Sequence, residues 1–270
     1  AIHRSTRRSG RQRCMAAMVE GVALVTGASR RIGRAIALEL GAHGWTVAVH
    51  HRNSDAEAED TAAVIRGQGG SAKTFAADLA DEAQVTALAA QVADDLGPIT
   101  CLVNNASLFE YDSAASVTQQ SWNRHFAINL RAPFVLIQAM AAGLLDGATG
   151  NVINLLDQRV WNLTPEFVSY TLTKTSLWTL TQTMAMALAP RIRVNGIGPG
   201  PVLASKNQTP GQFATQVAST PLKQATPVEK IAEAVTFILA SPTMTGQMIA
   251  LDSGQHLDRG GKWKGGKTDV

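Results

Sequence analysis

The twenty residues from Gly21 to Leu40 leave few folds open. Gly21-Val-Ala-Leu-Val-Thr26 is a short apolar run, rich in β-branched residues, of the kind found in strands buried on both faces of a parallel sheet. Gly27-Ala-Ser-Arg-Arg-Ile-Gly33 follows as a tight turn, and Arg34-Ala-Ile-Ala-Leu-Glu-Leu40 continues at helical spacing. Strand, glycine turn and helix in direct succession open a βαβ unit. Glycine lets the backbone come close to an anionic ligand, and the first turn of the helix offers unpaired N–H groups and positive potential. The competing reading is a βα turn with no ligand.

The remaining chain repeats this alternation. Strands are expected at Thr46–His50, Ser71–Ala77, Ile99–Val103, Asn151–Leu156, Arg191–Ile197 and Met248–Leu251. Helices are expected at Ala56–Arg66, Ala80–Leu96, Trp122–Leu145 with an interruption near Pro133, Phe167–Leu188 and Pro227–Ala240. Gly67, Gly97-Pro98 and Pro190 end three of them. Residues 201–225 are rich in Pro, Ser, Thr and Gln and read as a substrate lid or a surface loop.

A chain of 270 residues, 45% hydrophobic and 17% charged, suits one α/β domain with a full core. No internal repeat or linker marks a second domain. No apolar run reaches the roughly 18 residues a membrane span needs. Cys14 and Cys101 form neither a disulfide framework nor a metal-binding spacing, which fits a reducing, cytoplasmic setting. Cys101 reads as a small buried strand residue, with a reactive thiol as the alternative. The net charge of +3 misleads, because residues 1–18 hold Arg4, Arg7, Arg8, Arg11 and Arg13 and no acid. Subtracting those five leaves −2, so the domain is no basic nucleic-acid binder. The arm, residues 1–18, is expected to be a disordered extension, with organelle import as the alternative. Residues 258–270 read as a flexible tail.

Two further constellations carry chemistry. The second strand runs into His50-His51-Arg52-Asn53-Ser54. In a nucleotide-binding α/β sheet an acid there would hold the ribose 2′-OH of NAD, whereas a cation suits the 2′-phosphate of NADP. Arg52 supplies the cation, flanked by Asn53 and Ser54, and no acid comes before Asp55. The two histidines read as surface or supporting residues. Farther on, Tyr170 and Lys174 stand four apart in a helix, one turn from each other on one face. An ammonium beside a phenol favours the phenolate, so Tyr170 is expected to exchange its proton nearer neutral pH. Asp157, thirteen residues before the tyrosine at the end of a strand, is placed to meet it across the mouth of the sheet.

With the glycine turn at one end and Tyr170-Thr-Leu-Thr-Lys174 at the other, the chain from Val19 to Leu257 resembles the short-chain dehydrogenase/reductase family. The resemblance implies a Rossmann-type, doubly wound parallel sheet of seven strands, ordered 3-2-1-4-5-6-7, with helices on both faces. It implies an NADP-dependent oxidoreductase whose cofactor lies on Gly27, Arg31, Ile32, Gly33, Arg52, Asn53 and Ser54. Asp78-Leu79 resembles the adenine-contacting element, the alternative for Asp78 being a helix N-cap. Asn105, Ala106 and Ser107 stand in the family's NNAG segment, with Ser107 in place of Gly. Pro199-Gly200 resembles the element beside the nicotinamide, and Tyr170 and Lys174 also contact the cofactor. Asn129 sits where the family has an Asn that supports the lysine through water, the alternative being a capping or buried polar residue.

Four departures share one direction. Arg31 replaces the middle glycine, Ser107 follows Asn-Asn-Ala, Phe109 offers a stacking ring (or packs under the lid), and Asp157 stands where the family usually has Ser. Pteridine and dihydromonapterin reductases resemble the chain in all four. That branch implies reduction of a pterin C=N bond, with substrate on Arg31, Ser107, Phe109, Asp157 and Tyr170, and catalysis by Asp157, Tyr170, Lys174 and Asn129. It implies no metal. The family's oligomers imply a homotetramer built on the helices of Asn129 and Tyr170, and Leu177, Trp178, Met184 and Met186 put apolar groups on several faces of the latter. Two other readings stay open: an NADPH-dependent carbonyl reductase, and an NADP-binding sensor without turnover, against which the intact Tyr170 and Lys174 argue.

Overall fold

The structure is a computed structural model and describes residues 21–205 and 208–257. The basic arm and the tail from Asp258 lie outside the described residues, so the expectations for them do too. Seven parallel strands form one sheet: β1 Val22–Val25, β2 Thr46–His51, β3 Ser71–Ala76, β4 Ile99–Asn104, β5 Gly150–Leu155, β6 Ile192–Pro199 and β7 Met248–Leu251. Their order is β3-β2-β1-β4-β5-β6-β7, as expected.

Alternate residues of each strand face opposite layers, and both layers are apolar. Leu24, Ala48, Leu102, Val152 and Val194 pack on one side with α3 (Glu82–Leu96) and α5 (Ala132–Gly143). Val25, Val47, Val49, Val103, Ile153 and Ile197 pack on the other with α1 (Arg31–Ala42), α2 (Asp55–Gly67) and α8 (Val228–Leu239). Two-sided burial is the reason β1, β4 and β5 read as near-continuous apolar runs, whereas the edge strand β3 exposes Ser71, Lys73 and Ala76. A polar ladder crosses the first layer: Asn104 Nδ2 donates to Asn154 Oδ1, and Asn154 Nδ2 donates to Thr181 Oγ1 of α6 (Val168–Leu188), each at 2.9 Å. It ties β4, β5 and α6 to one register.

Two elements differ from expectation. The interruption before Pro133 is a π-turn, Ala127–Arg131, joining α4 (Gln119–Phe126) to α5. Proline has no N–H to give and its ring crowds the carbonyl four residues back, so the helix widens by one residue ahead of it. Gln119–Gly143 as a whole is long and apolar enough by composition to cross a membrane. Here Ala132, Val135, Leu136 and Met140 are buried against the sheet. The lid region holds a helix, α7 (Pro210–Ser219), started by a capping box in which Thr209 and Gln212 satisfy each other's backbone.

Candidate active site

In a parallel sheet every strand points its carboxyl end at one edge, and the loops at that edge gather the predicted residues. Gly27 follows β1 with φ +63, in the left-handed region that favours glycine. A Cβ on Gly33 would lie 2.2 Å from Gly27 O and 2.5 Å from Asn105 Nδ2, so only glycine fits there. Asn105 Nδ2 donates to Thr26 O and Gly27 O, and the amides of Asn105 and Ala106 donate to Thr26 Oγ1. The loop after β4 thus fixes the loop after β1. Ile32 packs against the neighbouring core.

His50 braces the same turn from below. Gly27 N donates to His50 Nδ1 at 3.0 Å, and His50 Nε2 contacts Ala77 O at 3.1 Å. Burial pushes its pKa down to about 4, so the ring is neutral with its proton on Nε2. His50 and His51 are both buried, which corrects the surface reading and makes His50 a supporting residue. Arg52 and Asn53 are exposed at the end of β2. Arg30 Nη2 donates to Ser54 Oγ at 2.8 Å and brings a second cation to that corner. Asp78 Oδ1 accepts from Ala80 N, and Leu79 is buried. Asp81, not Asp78, caps α3.

Arg31 occupies its glycine position with φ +55. A left-handed non-glycine residue costs about 1 kcal/mol or more. Its guanidinium donates to Leu203 O and Ala204 O, holding the start of the lid over the glycine turn. Gly200 N donates to Leu251 O, and a Cβ there would meet Asp252 Cα at 2.7 Å, so the segment with Pro199 is held close to β7.

The reacting groups meet beside this cradle. Tyr170 OH donates to Asp157 Oδ2 at 2.9 Å. Lys174 Nζ donates to Leu155 O at 2.6 Å and lies 5.7 Å from the centre of the Tyr170 ring. Burial first, and then the charge of Asp157, hold the Tyr170 pKa well above its ordinary value. The expected lowering by lysine is therefore reversed: the charge hydrogen-bonded to the phenol is a carboxylate, and Tyr170 is a neutral proton donor. Lys174 is itself brought down to about 8 by burial, with Asp157 opposing.

Asn129 lies in the π-turn. Its Oδ1 accepts from Leu108 N at 2.7 Å, and its Nδ2 donates to Leu108 O and to Thr173 Oγ1. It pins the Ser107–Leu108 loop to α6, one residue from Lys174, and Ser107 Oγ reaches it at 3.3 Å. Phe109 is half-exposed and stacks on Phe167 at 4.5 Å, with Tyr170 edge-on at 4.7 Å. The aromatic wall is thus a pair. Phe167 went unread in the sequence, as did Arg159, whose guanidinium binds Asp157 and lies over both rings. Among the described residues no three His, Cys, Asp or Glu side chains are placed to hold a metal.

The family model for short chain dehydrogenases matches residues 21–213. The chain belongs to the short-chain dehydrogenase family. Membership makes it an oxidoreductase that works with a nicotinamide cofactor. The FolM alternative dihydrofolate reductase 1 of Brucella canis, solved with NADP, is 47% identical, covering 90% of this chain and 96% of that one, with a TM-score of 0.86. A blue fluorescent protein from a metagenomic library, solved with NADPH, is 34% identical over 87% and 97% of the two chains, with a TM-score of 0.79. The 3-oxoacyl-[acyl-carrier-protein] reductase FabG of Staphylococcus aureus is 32% identical over 243 residues, 87% of this chain and 98% of its own. The short-chain dehydrogenase cradle in this chain fits a dinucleotide: the close approach of Gly33 to Gly27 O seats the start of α1 against the glycine loop, and that first turn has no side-chain cap and no acid, which suits a diphosphate.

Proposed function

We propose that this protein reduces a C=N bond of a pterin or dihydropterin with NADPH. The observation that carries the reading is the 2.9 Å hydrogen bond from Tyr170 to Asp157, a carboxylate at a position where the family resemblance leads one to expect a hydroxyl. A hydroxyl suits the oxyanion that develops when a carbonyl is reduced. A carboxylate that receives and returns protons suits reduction of an imine, where a ring nitrogen must gain one. The similarity to an alternative dihydrofolate reductase supports the same reading.

When bound, NADPH would supply the hydride. Arg52 and Arg30 would hold its 2′-phosphate, and the α1 amides at Ile32 and Gly33 its diphosphate. Asp78 and Leu79 would serve the adenine, and Asn105, Ala106, Pro199 and Gly200 the nicotinamide half. The substrate ring lies against the Phe109 wall, with Ser107 and Arg31 at its edge. Tyr170 gives its O–H proton to the substrate nitrogen. Asp157 passes a replacement proton to the phenolate from solvent. Lys174 steadies that transient negative charge and the ribose, and Asn129 keeps the loop and the α6 turn in register.

Steady-state NADPH oxidation with a dihydropterin, set against a ketone panel, tests this. Turnover of the dihydropterin at a kcat/KM well above that of every ketone is expected. Ketone-only turnover would favour a carbonyl reductase, the reading to which the FabG similarity lends weight. Cofactor binding with no turnover of either would favour a sensor.

A further inference from the structure

Arg159 stands two residues beyond Asp157 on the short 3₁₀ turn Gln158–Val160. Its backbone N–H donates to Asp157 Oδ1 at 2.8 Å, and its Nη1 donates to Asp157 Oδ2 at 3.3 Å. Both carboxylate oxygens are therefore engaged by one residue, and the oxygen that meets Nη1 is the one that accepts from Tyr170. The guanidinium carbon lies 5.5 Å from the Phe109 ring centre and 5.2 Å from that of Phe167. Nε is buried and has no oxygen or nitrogen partner. A buried donor without an acceptor is costly, and the faces of aromatic rings are the electron-rich surface present. Phe167 stands in a left-handed conformation with φ +57, and its N–H donates to Asp112 O.

We propose that Arg159 is a positioning residue for proton delivery: its guanidinium holds the Asp157 carboxylate aimed at the Tyr170 phenol, and its stacking on Phe109 and Phe167 ties that carboxylate to the aromatic wall. This rests on the reading of Asp157 and Tyr170 as the proton-delivery pair. The charged and titratable groups around the carboxylate are Arg159 on its own turn and Tyr170 and Lys174 on α6. His256 and Asp252, from the segment packed on the far side of the turn, are bonded to each other at 2.8 Å. Arg159 is thus the cation in direct contact with the carboxylate. Its loss leaves the carboxylate free to turn away from the phenol, because Arg159 engages the same oxygen that accepts from Tyr170. The loss then falls on kcat while NADPH affinity holds, and a cation at this position rescues it, whereas a residue that merely braces the turn is not rescued by charge.

The test is kcat for dihydropterin reduction by the wild type and by Arg159→Gln, Arg159→Lys, Asp157→Asn and the Arg159→Gln/Asp157→Asn double variant, with NADPH affinity read by fluorescence as the check on folding. Arg159→Gln is expected to cut kcat roughly tenfold while NADPH affinity holds. Arg159→Lys keeps the cation and restores most of kcat; it carries the comparison if the Gln variant does not fold. In the Asp157→Asn background the Arg159 substitution should move nothing further. An Arg159→Gln loss that persists in full in the Asp157→Asn background, or an Arg159→Lys variant no better than Arg159→Gln, overturns the proposal while leaving the proton-delivery pair intact. Full turnover by Asp157→Asn overturns the pair itself, and this inference with it.

Discussion

At the scale of single residues the site is a balance of charges in a dry place. Tyr170 has its proton held on by burial and by Asp157, so it starts as an acid rather than as a phenolate. If Asp157 relays the proton, Asp157→Asn keeps the shape and removes the titratable group. We expect a loss of about 10²–10⁴-fold in dihydropterin turnover with NADPH affinity unchanged, measured by stopped assay and fluorescence titration. A carboxylate that only capped the turn would tolerate Asn. Lys174 gives a pH prediction of definite sign. Its ammonium is the form that steadies the phenolate, and its pKa is lowered to about 8, so kcat/KM should fall as pH rises through that value. A flat profile to pH 10 would contradict this.

At the scale of elements, the turn after β1 is built from parts far apart in the chain: Gly27, His50 from β2 and Asn105 after β4. Gly33→Ala puts a Cβ against a backbone carbonyl that cannot move aside, and we expect dinucleotide affinity to be lost with little change in the far half of the sheet. His50 makes the same joint sensitive to acid. Its folded pKa of about 4 lies below the ordinary value of 6.5, so between those limits the unfolded chain binds more protons than the folded one. Stability then falls as pH drops from 6.5 to 4, by roughly 3 kcal/mol in all. His50→Gln should flatten the melting curve against pH across that window. These joints mark what the sequence could and could not disclose. The seven apolar runs, the glycine turn and the Tyr170–Lys174 spacing are local patterns, and they were legible. The contact of Asp157 with Tyr170 was legible as an expectation because strand ends and helix faces have fixed directions. The sign of the Tyr170 shift was not, since it depends on burial and on which charge lies nearest in space. The left-handed Phe167 and the reach of Arg159 are likewise tertiary in origin, whereas the interruption before Pro133 was legible and only its π form was not. The capping box of α7 was written in Thr209-Pro-Gly-Gln212 and could have been found.

At the scale of the whole molecule, the outer face of α4, α5 and α6 is left with more apolar surface than one subunit covers. Phe126, Leu130, Phe134 and Leu180 line a groove between these helices, and Met186 is exposed. Leu177, expected to add to that face, is instead buried in its own subunit. We propose that copies of this chain pair through these helices, and we expect a homotetramer by light scattering at micromolar concentration; a monomer mass would refute it. On the proposed function, Asp157 turns a fold that also serves carbonyl reduction toward imines. The most direct measurement is the ratio of kcat/KM for a dihydropterin to that for the best ketone, compared between the wild type and Asp157→Ser. A ratio far above one that collapses in the variant, with ketone turnover kept or raised, is expected. An unchanged ratio would contradict it.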